Sequence, residues 1–397
     1  MTTTAILAAS ALLLFSYLLE IIGRRFRLPS VVMLIGTGIL LRQIMDSMDF
    51  HLRWVDPIVP VIGTIGLILI VLEGALDLKV SRDRMGLIAT SFASTLLGFV
   101  ATLAAFAALF NLALHFDWPV AVLAAIPFAV ISSAVAIPAA QGLPEHSREF
   151  VIYESSFSDI LGVLVFYAWL GANGSIPDFA FELLGGSAVS LLTAAAAAFA
   201  LYYVINQLEG HVRFLPLIAG LIFLYALGKK VHLSPLILVL GCGLLINNPQ
   251  LITWHAKLRK LHSTGYDQTL KEFKGLVAEL TFATKSFFFL LLGFWTNISQ
   301  LLAHEAWLVA GAGMAVIYGS RWLILKVLRQ DAAAKLLWIA PRGLITVLLF
   351  LTATDSGKFQ GFPFGAVMLI VLGTAALTAL AHRQAANSAP ARAAVDA

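Results

Sequence analysis

Charge is what this sequence most lacks. Only 12% of its 397 residues are Asp, Glu, Lys or Arg, whereas 60% are hydrophobic, and the mean hydropathy is +0.90. An ordinary soluble domain carries about 25% charged residues, so a soluble enzyme of this length is excluded. Cysteine is nearly absent too. Cys242 is the single one, which rules out an intramolecular disulfide. There is no P-loop, no dinucleotide fingerprint and no zinc-type cluster of His and Cys. No basic stripe stands apart from the membrane pattern described below, so nucleic acid is not an expected partner. Nor does a basic segment precede the first apolar run, at about 4–22. Arg24, Arg25 and Arg27 follow it instead, which makes it a transmembrane helix and not a cleaved signal peptide.

Long apolar runs are what is present, and they recur from end to end. They have the length of bilayer-spanning helices and not the weak alternation of an outer-membrane barrel. The fold class is therefore an all-α polytopic membrane protein. The hydropathy pattern predicts thirteen spans, at about 4–22, 28–45, 56–78, 85–114, 118–140, 149–171, 178–205, 213–228, 233–248, 273–295, 301–320, 333–353 and 362–381. With the N-terminus outside, nineteen of the 26 Lys and Arg fall in inside loops, at inside span ends or in the C-terminal tail, five fall outside, and Lys285 and Arg342 lie within spans. That asymmetry predicts a multi-pass cell-membrane protein with its N-terminus out and its C-terminus in the cytoplasm. The longest loop, about 249–272, is inside. Trp254, Leu258 and Leu261 alternate there with His255, Lys257, Arg259 and Lys260, which suits either an amphipathic segment on the inner leaflet or a simple linker. Residues 382–397, rich in Ala with Pro, Asn and Ser, are expected to form a disordered cytoplasmic tail.

Thirteen spans divide into six, one linking helix and six. Residues 1–381 form one transmembrane unit, with repeat one at about 1–171, the link at about 178–205 and repeat two at about 213–381. Transporters often consist of such inverted repeats with broken helices at matching positions. The fifth span of each half holds a proline among small or polar residues, in Ile131-Ser132-Ser133-Ala134-Val135-Ala136-Ile137-Pro138 and in Ile339-Ala340-Pro341-Arg342-Gly343-Leu344. Proline removes a backbone donor, and unwound backbone is tolerated at bilayer depth only where it faces protein or a cavity. A simple kink is the other reading of each.

The sixth span carries Tyr153-Glu154-Ser155-Ser156-Phe157-Ser158-Asp159. An ionisable group at bilayer depth costs about 2.5–3.5 kcal/mol on insertion scales, so one is rare without a role. Ser155 and Asp159 are four apart and share a helix face, while Glu154 and Asp159 point in different directions. Separate partners are therefore expected. Arg342, unable to shed its proton, is the expected counter-charge for Glu154 in a structural pair. Asp159 is left to exchange ligands. Lys285 suits either snorkelling to the inner interface or a core role, and Glu73 either an interfacial position or contact with an ion.

Taken in order, these runs resemble the monovalent cation:proton antiporter superfamily, the sodium/proton exchangers. Glu154-Ser155 with Ser158-Asp159 resembles its Glu-Ser-x-x-Asn-Asp motif, and Pro341-Arg342-Gly343 resembles its Leu-Arg-Gly motif. Leu72-Glu73-Gly74-Ala75-Leu76-Asp77-Leu78 resembles the Phe-Glu-Gly-Gly-Leu-x-Leu type of segment after its third helix, and Phe287-Phe288-Phe289-Leu290-Leu291-Leu292-Gly293 resembles its Phe-Phe-x-x-x-Gly region. The resemblance implies a core domain with crossed, unwound helices and a separate dimerisation domain, hence a homodimer. It implies that Asp159 carries both proton and cation, with Ser155, Ser158, Ser132 and Ser133 lining the site, and that Glu154 pairs with Arg342. Two positions depart from the family: Ser158 stands where it has Asn or Asp, and Ser132-Ser133-Ala134 where it has Thr-Asp-Pro.

One carboxylate cannot hold a proton and a metal ion together, so competition at a site opened alternately to each side gives exchange without nucleotide. The expected activity is electroneutral antiport of sodium or potassium against protons in an inner membrane, serving pH homeostasis, with no resident cofactor and no enzymatic chemistry. The alternative is a cation channel or an ion sensor on the same fold. A channel calls for a continuous polar stripe, whereas the polar groups found here cluster at a few midspan points.

Overall fold

A computed structural model of the chain describes residues 2–26, 30–47, 59–80, 82–172, 174–207, 214–231, 233, 235–252, 266–328, 333–357 and 362–387. Within them the chain is helical and contains no strand. The helices are α1 (Thr2–Phe26), α2 (Ser30–Ser47), α3 (Val59–Asp77), α4 (Met85–Leu114), α5 (Trp118–Ala129), α6 (Ser133–Ala139), α7 (Glu145–Gly171), α8 (Ile176–Phe181) and α9 (Ser187–Gln207). There follow α10 (Leu215–Lys230), α11 (Pro235–Asn247), α12 (Pro249–Ile252), α13 (Tyr266–Trp295), α14 (Ile298–Leu302), α15 (His304–Val327), α16 (Ala333–Leu336), α17 (Leu344–Asp355) and α18 (Phe364–Asn387). Each of the thirteen apolar stretches read from hydropathy carries helix. Seven helical stretches among the described residues are long and apolar enough to cross a bilayer, and four further apolar helices are shorter. Of the inside loop expected at about 249–272, residues 253–265, with their amphipathic run, lie outside the described residues, whereas 249–252 form α12 and 266–272 already belong to α13. Residues 388–397 of the expected tail lie outside them too, whereas 382–387 continue α18 as helix.

The chain divides into two compact units, and each draws on both halves of the sequence. The first comprises Met1–Gly63, Leu87–Ser158 and Ala283–Ala397, and the second Thr64–Gly86 and Asp159–Phe282.

In the first unit α4 is inside-out by the standards of a soluble protein. Its buried face holds Ser91, Ser94, Thr95 and Thr102 beside Phe99, Phe106 and Phe110, while Phe92, Leu96, Leu97 and Val100 are exposed. Apolar side chains outward and hydroxyls inward suit a hydrocarbon solvent. α18 packs on α15, and α17 on α5. Phe128 of α5 stacks on Phe106 at 5.1 Å and meets Phe350 of α17 at 6.2 Å. Such pairs are worth about 0.5–1.5 kcal/mol beyond their burial, and they anchor the two half-helices that end nearby. α2 and the last turns of α13 touch backbone to backbone. A Cβ on Gly38 would meet the Leu290 carbonyl, and one on Gly293 the Ile35 carbonyl. Arg42 Nη1 then donates to the carbonyls of Phe294 and Trp295 at 3.2 and 3.0 Å, capping the open end of α13.

The second unit is built on α9, α10 and α11, which pack together. Gly241 lets α11 approach Ala194 of α9, and Cys242 donates to the Ala194 carbonyl at 3.3 Å. The link expected at 178–205 is not one uniform helix: a π-helical turn, Glu182–Gly186, separates α8 from α9.

Candidate functional site at the helix crossing

Both interrupted spans are broken as their prolines suggested, although the first break is displaced from its proline. α5 stops at Ala129, Val130 and Ser132 are extended, and α6 starts at Ser133 with Pro138 inside it. In the second, α16 ends at Leu336 and α17 starts at Leu344. Between them Pro341 has no N–H to offer a helix and disfavours helical backbone at Ala340. The two extended stretches meet. Ser132 N–H donates to the Pro341 carbonyl at 2.9 Å, a bond that neither half-helix could supply internally. Gly343 sits against Ser132 so closely that a Cβ would lie 2.8 Å from the serine Cβ. Glycine is required there by proximity and not by conformation, since its φ of −157° is ordinary extended backbone. Ser158 of α7 completes the support by accepting the Ile131 N–H at 2.8 Å.

Arg342 is 2% exposed and serves this crossing. Its Nε donates to the Phe128 carbonyl at 2.6 Å and its Nη1 to the Ala340 carbonyl at 3.0 Å. Its own N–H donates to Thr374 Oγ1 at 3.0 Å. The Phe128 carbonyl belongs to the last turn of α5, where carbonyls lack ladder partners. The guanidinium partners of Arg342 are thus backbone carbonyls and not Glu154.

The expected pair of Glu154 with Arg342 is corrected. Glu154 is held by Arg321, with Nη1 to Oε1 at 2.7 Å and Nη2 to Oε2 at 2.8 Å. Ser94 Oγ donates to the same Oε1 at 2.6 Å. Arg321 Nε donates to the Leu336 carbonyl at 3.1 Å, and Thr95 donates to the Glu154 backbone carbonyl at 3.0 Å. Arg342 forms no salt bridge among the described residues. Hydropathy ended the eleventh span at 320 and left Arg321 at an inside border. In fact α15 continues to Val327 and Arg321 is 7% exposed. The readable signal was the apolar run Trp322-Leu323-Ile324-Leu325 beyond it. Ser94, Thr95, Thr102 and Ser320 were missed as well. At about 100° per residue, Ser91, Ser94, Thr95 and Thr102 fall within one quarter to one third of the α4 circumference, a stripe visible in the sequence.

With Glu154 committed to Arg321 and Ser94, Asp159 is the other buried carboxylate among the described residues, at 8% exposure. It lies about 140° around α7 from Glu154 and opens the second unit's share of that helix. Ser155 shares its face but donates to the Val151 carbonyl of its own helix at 2.7 Å. Ser133 is buried at the first turn of α6. Glu73 and Lys285 are both half-buried, Glu73 on α3 in the second unit and Lys285 on α13 in the first. Ser132, Ser158 and Arg342 are thus brought together at the crossing, and Glu154 stands beside α4 and α15 in the same unit.

A cavity of about 20 Å³ adjoins the crossing, bounded among others by Ser94, Thr102, Ser158, Ser320, Arg321 and Arg342. It has room for a water molecule or a monatomic ion. Thr102 Oγ1 and Ser320 Oγ are 2.8 Å apart on its wall.

The fold has counterparts among solved structures. The sodium proton antiporter MjNhaP1 from Methanocaldococcus jannaschii at pH 8 superposes with a TM-score of 0.76 at 20% identity, covering 97% of each chain. A second structure of MjNhaP1, from an electron-microscopy map, gives 0.66 at 18% identity, over 97% of this chain and 94% of that one. A comparison with curated proteins gives no match. The sequence pattern of the transmembrane sodium/hydrogen exchangers matches residues 10–383, nearly the whole length, and the chain belongs to the sodium/hydrogen exchanger family.

Proposed function

We propose that this protein is a secondary antiporter that exchanges sodium or potassium for protons at Asp159, by alternating access and without net charge movement. The observation that carries this reading is a second buried acid on α7 beside a paired one. Glu154 is held by Arg321 and Ser94, and Asp159, 8% exposed, is the buried carboxylate to which we assign the exchange. A carboxylate binds either a proton or a cation, and that competition couples the two fluxes. Family membership and the MjNhaP1 fold support the same activity.

Ser132, Ser133, Ser155 and Ser158 are proposed to add neutral oxygens or freed carbonyls around the ion. They bring no second carboxylate, and one proton per cation is therefore the expected ratio. The proposed topology has thirteen crossings in two inverted repeats, the N-terminus outside and the C-terminus in the cytoplasm, as the Lys and Arg asymmetry favours. Exposed apolar residues such as Leu192 and Phe223 suit lipid or a second copy in a homodimer.

The test is reconstitution into proteoliposomes with an internal pH reporter. Adding sodium or potassium outside should drive protons across, and Asp159→Asn should remove that response while leaving the purified protein folded. Retained cation-driven proton movement in Asp159→Asn would take the residue out of its role.

A further inference from the structure

We infer that the cavity beside the crossed helices binds a small monatomic anion of chloride size. The charge on its wall points that way. Two guanidinium groups, Arg321 and Arg342, line it, and no carboxylate does. The charge of Arg321 is met by Glu154. That of Arg342 is met by no salt bridge among the described residues, although the side chain is 2% exposed. Arginine cannot shed its proton to escape burial, and an isolated charge removed from water is strongly unfavourable. A cation in this cavity would be repelled, and a water molecule would leave the charge unmet.

The hydrogen-bond inventory agrees. Arg342 carries five N–H donors in a rigid fork. Two are placed on the carbonyls of Phe128 and Ala340, and the other three meet no acceptor among the described residues. Ser158 Oγ accepts from Ile131, and its own hydroxyl hydrogen meets no acceptor among the described residues either. Ser94, by contrast, has committed its hydrogen to Glu154, and Thr95 shares its own between the Ser91 and Glu154 carbonyls. The spare groups are therefore donors on Arg342 and Ser158, two residues that line a space of about 20 Å³. That suits a halide and excludes a bulky organic anion. The role implied is a fixed counter-ion for the crossing, separate from the exchanged cation and independent of whether Asp159 exchanges anything.

The test is thermal unfolding of the purified protein in detergent at fixed sodium and pH, with chloride, bromide or gluconate as the anion. The midpoint should rise saturably with chloride and bromide and stay flat with gluconate. Gly98 lines the cavity, and a Cβ there meets nothing within 4 Å. Gly98→Ala should therefore fold normally, fill the space with a methyl group and raise the half-saturating halide concentration by about tenfold or more. Equal midpoints in chloride and gluconate would overturn the site. So would an undiminished halide response in Gly98→Ala, because that is how a bulk salt effect behaves. Neither result touches the antiporter reading, as no transport is measured.

Discussion

Arg321 grips Glu154 by two parallel hydrogen bonds, 2.7 and 2.8 Å long, across 167 positions of sequence. Their side chains are 6% and 2% exposed. Bidentate geometry of this kind is the strongest form of the Arg–carboxylate interaction. Desolvating both charges consumes much of that gain, so the pair is worth less than the damage done by breaking it. Arg321→Met should destabilise the protein by about 3–5 kcal/mol, because Glu154 is left charged and buried. Adding Glu154→Gln should restore more than half of the loss. Thermal unfolding in detergent of the two single variants and the double variant checks this. Additive losses in the double variant would show that the pair is not coupled.

Arg342 is fixed by geometry more than by charge. Its fork reaches carbonyls of two different broken spans, at Phe128 and Ala340. Lysine keeps the charge but offers a single point donor on a flexible stem. Arg342→Lys should therefore lower stability by about 2 kcal/mol, the typical loss of a charge-assisted hydrogen bond. It should also raise amide exchange at Ile131 and Ser132, where the first span is unwound. Exchange unchanged at those two positions would separate the guanidinium from the crossing.

Much of this architecture could be read from composition and pattern alone. Each predicted apolar stretch carries helix because hydrocarbon length and hydropathy are local properties. The break at Ile339–Gly343 was legible at Pro341, which acts on its own neighbourhood; the break at Val130–Ser132 was legible only as lying in the same span as Pro138, which sits inside α6. Glu154, Asp159 and Arg342 stood out as charges in apolar runs. The partner of Glu154 did not. Arg321 lies near the end of an apolar run, where a charge reads as a border. Only its contacts with Glu154 on α7 and with the Leu336 carbonyl show it to be inside. Pairing between distant positions depends on which helix faces which, and one chain's spacing does not record that. The hydroxyl stripe of α4 was legible and was overlooked, because each hydroxyl is unremarkable until their common face is counted.

Gly343 and Ser132 make a size-matched contact that can be tested by exchange. A Cβ on Gly343 has no room beside Ser132, and α17 begins one residue later. Gly343→Ala should destabilise by about 1–3 kcal/mol through overpacking. Ser132→Gly removes the obstructing side chain but keeps the N–H that donates to Pro341. The double variant should therefore melt closer to the parent than Gly343→Ala does, despite the added backbone entropy of glycine. A double variant worse than both singles would place the strain elsewhere.

The proposed one-to-one stoichiometry rests on what occupies position 133. Ser133 is buried at the first turn of α6, beside the crossing, and contributes a hydroxyl where a carboxylate would add a second titrating charge. If Asp159 alone exchanges its proton for a monovalent cation, each cycle moves no net charge. The difference is large enough to measure. One net charge in a potential of 100 mV is worth about 2.3 kcal/mol, which shifts the cation gradient at equilibrium by about fiftyfold. In proteoliposomes clamped with a potassium ionophore, the sodium gradient that balances a fixed pH difference should not move with voltage. Replacing Ser133 by Asp should introduce a voltage dependence if that position reaches the ion. A parent protein whose balance point already shifts by tens of fold per 100 mV carries a second exchangeable charge, and the one-carboxylate account of coupling fails with it.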